Sequence, residues 1–152
     1  AMLSCIFGLV DESGFRHYRE IVFVCGRKNG KSLLAASIAK YNWFIDGGYG
    51  AKVYVVAPKL DQADIIYNNI WQMTLLDPEY QQMKEALSER DAHNKKVLDD
   101  SELPKHRMSD LYITATNSTV KKIAFSAKKS DGFNPSLCVC DEIRQRYAIL
   151  WS

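Results

Sequence analysis

The chain has 152 residues, 47% hydrophobic and 25% charged, which suits one soluble globular domain and excludes disordered and fibrous classes. Lys and Arg number 20 against 18 Asp and Glu, and the net charge of +2 neither demands nor excludes a nucleic-acid partner. Apolar runs reach only about five residues, roughly a quarter of a bilayer-spanning helix, so no membrane span is predicted.

In chain order, Leu3–Val10 lacks both a basic lead-in and a small-residue cleavage site, and makes a poor secretory signal. Ile21–Cys25 is a continuous apolar run, the pattern of a strand covered on both faces in a parallel sheet; Val53–Ala57 and Leu137–Cys140 repeat it. Leu34, Ile38, Tyr41 and Ile45 share one stripe and predict a helix over 31–46, ended by Gly47-Gly48. Asp61 is placed to cap a second helix bearing Ala63, Ile66, Tyr67 and Ile70. Asp77 before Pro78 starts a third, with Tyr80, Met83 and Leu87 as a thin apolar stripe. Residues 84–110 are dense in charges of both signs and read as a solvated helix and mobile loop rather than a DNA-binding patch. Leu111–Thr116 and Val120–Phe125, joined around Asn117-Ser118, predict a β-hairpin. Strands alternating with helices define an α/β domain: a parallel sheet flanked by helices, with an additional hairpin.

Cys5, Cys25, Cys138 and Cys140 include no C-x-x-C pair, which fits an intracellular protein. Cys138 and Cys140 would share a strand face and read as small buried hydrophobes rather than zinc ligands. His17, His93 and His106 lie among polar residues and read as surface side chains.

The chemistry concentrates at two places. Cys25-Gly26-Arg27-Lys28-Asn29-Gly30-Lys31-Ser32 falls between the first predicted strand and the first helix and ends in Gly-Lys-Ser, as a Walker A phosphate loop does. Glycine lets backbone N–H groups approach phosphate oxygens, so Gly26 through Ser32 form the candidate ATP-binding loop. Lys31 can reach the β- and γ-phosphates, and the Ser32 hydroxyl can hold Mg²⁺. Gly26 stands one position later than the usual pattern requires, with Cys25 in its place. Arg27 and Lys28 add cations there; Arg27 could stabilise charge on the transferred phosphoryl group, and a plain surface role competes for both.

The second place is Leu137–Cys140 followed by Asp141 and Glu142. A parallel sheet would bring Asp141 and the loop to the same carboxyl edge. Asp141 is then the Mg²⁺ partner and Glu142 the general base for attacking water. Read alone, the pair could simply end a strand and start a helix.

Arg27–Ser32, Asp131-Gly132-Phe133-Asn134-Pro135, the 137–142 acidic strand and Ala57-Pro58 with Asp61-Gln62-Ala63 together resemble the large terminase subunit of tailed bacteriophages, from about Phe7 to Glu142. A basic residue early in the loop suits that family's deviant Walker A. The resemblance implies a P-loop NTPase of the RecA/ASCE-like kind, using ATP and Mg²⁺ to drive double-stranded DNA into a procapsid. By that likeness Lys31 and Ser32 bind phosphate and metal, Asp141 coordinates Mg²⁺, Glu142 is the catalytic carboxylate and Arg27 is the early basic residue. It also implies a small terminase subunit and a portal protein as partners, a homo-oligomeric motor, no membrane, and the cytoplasm of a bacterial host. The family's adenine-contacting segment would precede Leu3, and its coupling motif and nuclease domain would follow residue 152, so the chain is expected to be a partial ATPase domain with weak nucleotide affinity in isolation.

Two alternatives stay open: another nucleic-acid-dependent P-loop ATPase such as a helicase-like translocase, and a non-catalytic module binding DNA or a portal. Lys121-Lys122 and Lys128-Lys129 lie in an acid-free stretch; solvated hairpin lysines are the plain reading and a DNA-facing surface the sharper one.

Overall fold

The computed structural model describes residues 2–26, 28–93, 100–125 and 134–141. Its elements are α1 (Met2–Gly8), α2 (Lys31–Tyr41), a π-helical turn (Asn42–Asp46), β1 (Lys52–Ala57), α3 (Leu60–Leu75), α4 (Pro78–His93), β2 (Lys105–His106), β3 (Asp110–Ile113), β4 (Ser118–Ala124) and β5 (Leu137–Cys140). The five strands form one mixed sheet in the order β2-β3-β4-β1-β5. β1 runs parallel to both neighbours, with Val53 opposite Val120 of β4 and Leu137 of β5. β2, β3 and β4 are antiparallel, so the expected hairpin exists and its second strand belongs to the parallel core. Its turn places Asn117 at φ 52°, a left-handed conformation that asparagine tolerates better than most residues.

The core lies on one sheet face. Val53, Val55, Val120, Leu137 and Val139 meet Ala36 and Ala39 of α2 and Ala63, Ile66, Tyr67 and Ile70 of α3. The predicted stripe of α3 is the one observed. Asp61, however, lies inside the first turn, and Lys59 occupies the cap position without a side-chain bond. There the Asp61 carboxylate still faces the positive end of the helix dipole. In α4 the fit is better: Asp77 Oδ1 accepts the Glu79 N–H at 3.0 Å, and Tyr80, Met83 and Leu87 are the half-buried stripe. Lys40 donates to the other oxygen of Asp77 and is the main reason its carboxyl sits below the usual carboxylate range. A carboxyl depressed in the folded state stabilises it above the unfolded pKa, and that contribution fades as pH falls through the folded value. Asp77→Asn should therefore lower the melting temperature at neutral pH, with the gap to the parent closing below about pH 4.

α2 corrects two expectations. Tyr41 and Ile45 of the predicted stripe are 40% and 66% exposed, whereas Ala36, Ala39 and Trp43 point inward. Two alanines let α2 approach α3 closely, so close packing outweighed side-chain size. The regular helix also stops at Tyr41 and widens, the Gly47 N–H reaching the Asn42 carbonyl at 2.8 Å. A side chain at Gly47 would stand 2.6 Å from the Ala51 Cβ and 2.8 Å from the Asn42 oxygen. Gly47→Ala should cost about 1–3 kcal/mol, read as a lower denaturation midpoint.

Ile21–Cys25, against expectation, forms no strand. Val22, Phe23 and Val24 are 64%, 43% and 88% exposed. A strand needs a ladder partner, and among the described residues none pairs with this segment or with the outer edge of β5. Composition favoured an extended chain there; pairing decides whether it becomes a strand.

Candidate nucleotide-binding site

The loop before α2 is shaped by left-handed backbone. Lys28 has φ 63° and Gly30 φ 72°, the latter at the cap position of α2 with no side-chain cap bond. Glycine adopts this conformation without the cost that a Cβ imposes. The Leu34 N–H bonds to the Gly30 carbonyl at 2.9 Å, so α2 starts at once and directs its first N–H groups out of the helix end. A Cβ at Gly26 would stand 3.2 Å from the Asn29 side-chain nitrogen, so a larger residue there would crowd Asn29. Lys28 and Asn29 are exposed and Ser32 is half-buried. Arg27 lies outside the described residues.

β5 supplies the other half. Its last residue pairs with Val56, and the next N–H, that of Asp141, bonds to the Val56 carbonyl at 2.9 Å. The Asp141 side chain, 10% exposed, meets the Lys31 ammonium at 2.6 Å, and Lys31 is 40% exposed. Two residues far apart in sequence are thus brought together at the carboxyl end of β5, because α2 packs against that strand. Glu142 and the Asp131-Gly132-Phe133 part of the upstream motif lie outside the described residues.

Sequence reasoning missed the residues that aim this arrangement. Ser136 Oγ donates to Asn42 Oδ1 at 3.0 Å and accepts the Lys52 N–H at 2.9 Å. The Ser136 N–H in turn reaches the Lys52 carbonyl. β5 is therefore pinned at its start to β1 and to the end of the helix that carries Lys31. A polar Asn42 beside a predicted core stripe was the available signal.

The lysine pairs divide. Lys121 is exposed, but Lys122 is bonded to Asp64 and stands 4.8 Å over the Tyr67 ring, so it belongs to the packing of α3 on the sheet. Lys128 and Lys129 lie outside the described residues.

An ammonium at a helix start, beside outward N–H groups and facing a strand-end carboxylate, offers the donor set that could bind an anion, with an acid that could hold a cation. Among the described residues no group of three or more His, Cys, Asp and Glu could hold a metal, and no helix is long and apolar enough to cross a membrane. One carboxylate suits Mg²⁺, which usually keeps waters and substrate phosphates as its remaining ligands.

The domain is thus of the α/β class, with an ammonium and a carboxylate meeting at the end of its edge strand. The chain belongs to the terminase large subunit family: the model of the terminase large subunit, ATPase domain, matches residues 1–147. Searches of curated proteins and of solved structures returned no match. The family membership supports a role in the terminase motor, and with it ATP as the fuel.

Proposed function

We propose that this domain is the P-loop, Mg²⁺-dependent ATP-hydrolysing motor that drives double-stranded DNA into a procapsid, working with a portal and a small terminase subunit. The observation that carries the reading is the 2.6 Å contact between Lys31 and Asp141. An ammonium beside a carboxylate at one sheet end supports a site for phosphate and a cation. Gly26 to Ser32 would cradle the triphosphate, with Lys31 on the outer phosphates and Ser32 and Asp141 holding Mg²⁺. The metal would supply charge neutralisation on the phosphates. Glu142 would orient attacking water, and Arg27 would stabilise charge on the transferred group.

Lys31 and Asp141 neutralise one another when no ligand is bound. On nucleotide entry Lys31 would exchange Asp141 for phosphate oxygens and Asp141 would exchange Lys31 for Mg²⁺, so neither side chain would be left without a counter-charge. Because both halves would change together, ATP should bind detectably only with Mg²⁺ present. Calorimetric titration with and without EDTA tests this, and absence of ATP binding in both conditions would sink the reading. Where turnover is measurable, Glu142→Gln should lower it by about 100-fold or more.

A further inference from the structure

Cys138 and Cys140 are separated by one residue on β5, so both side chains leave the sheet opposite Leu137 and Val139, which face the core. Both are half-buried rather than buried, and their Sγ atoms lie 3.6 Å apart. The proposed ATPase cycle uses neither. Two thiols are half of a structural zinc shell, and the described residues offer no such cluster around them.

We propose that Cys138 and Cys140 form a reversible disulfide within β5 that draws Asp141 away from Lys31. The oxidant is a peroxide. One cysteine sulfur attacks the O–O bond, becoming a sulfenic acid as water leaves. The second sulfur then attacks the first, forming the S–S bond and expelling a second water. Two thiol hydrogens and one peroxide yield one disulfide and two waters, with the sulfurs oxidised and the peroxide reduced.

The strand geometry makes the bond possible and costly. Same-face residues on a strand have Cα atoms roughly 6.6 Å apart, near the upper limit that a disulfide spans. Bringing the sulfurs from 3.6 Å to a bond of about 2.05 Å must therefore pucker β5. The pucker falls at Cys140, whose next residue is Asp141, and a shift there breaks an ion pair held at 2.6 Å. Strained disulfides are the readily reduced ones, so the thiols are recovered by ordinary reductants.

The disulfide stands apart from the nucleotide reading; only its effect on ATP rests on that reading. The full chain is treated with stoichiometric hydrogen peroxide, and three quantities are read. The peptide carrying both cysteines should lose two hydrogens in mass and regain them with dithiothreitol. Acetylation of Lys31 by acetic anhydride, followed by mass spectrometry, should be faster in the oxidised protein. Mg·ATP affinity should fall by about tenfold, a usual size for coupling between sites, and the Cys138→Ser/Cys140→Ser variant should keep its affinity in peroxide. Oxygen adducts on a single sulfur, or bonds between chains, would overturn the proposal. So would a disulfide that leaves Lys31 acetylation unchanged. Formation of the disulfide with faster acetylation, in a protein that binds no ATP in either state, upholds the proposal and overturns the ATPase reading instead.

Discussion

Lys31→Ala is expected to weaken Mg·ATP binding by about 100-fold or more, because a positioned ammonium on phosphate is worth several kcal/mol when removed from one side only. The measurement is the rise in melting temperature at a Mg·ATP concentration that saturates the parent, since a ligand at free concentration L that binds only the folded state stabilises by RT ln(1 + L/Kd). The parent should show a clear rise and the variant almost none. Lys31 also pairs with Asp141, so the variant's melting temperature without ligand falls as well. Lys40→Ala separates the two effects. Lys40 lies on the same helix and pairs with Asp77. Its loss should lower the ligand-free melting temperature while leaving the ATP-induced rise intact. An equal ATP-induced rise in the parent and in Lys31→Ala would remove Lys31 from the phosphate site, and the proposed function with it.

What the sequence disclosed, and what it hid, divides along a physical line. Val53–Ala57 and Leu137–Cys140 announced themselves because strands whose faces are covered carry unbroken apolar character, and both form, β1 inside the sheet and β5 at the edge of the described strands. Ala63, Ile66, Tyr67 and Ile70 disclosed α3 because one helix face meets one core. The same logic misjudged α2, where large Tyr41 and Ile45 suggested a buried face that alanines occupy instead. Periodicity weighs side-chain volume, whereas the helix–helix approach favours small residues. Ile21–Cys25 failed for another reason: local composition cannot report whether a partner strand is present. At the site, the Gly-Lys-Ser triplet and the acid after β5 could be read as motifs, but their meeting at 2.6 Å depends on α2 packing on β5. The Ser136–Asn42 bond that helps fix that packing left only a polar residue in an apolar stretch as its trace.

Ile65 and Ile66 offer the sharpest stability test, because two chemically identical side chains adjoin on α3, about 100° apart around its axis, one buried and one exposed. Ile66 is fully buried among the sheet and α2, whereas Ile65 is 55% exposed. Truncating Ile66 to alanine removes buried methylenes and leaves a cavity, with an expected loss of about 3 kcal/mol. In a domain of this size that loss corresponds to a fall in melting temperature of about 10 °C. Ile65→Ala removes the same atoms from a surface position and should change stability by about 0.5 kcal/mol or less. Alanine's higher helix propensity offsets part even of that change. Paired thermal and urea melts decide the matter. Equal losses for the two variants would mean that α3 does not present its 63-66-67-70 face to the sheet. The helix would then be turned about its axis, and Asp64, which pairs with Lys122 across the same interface, could not keep that contact.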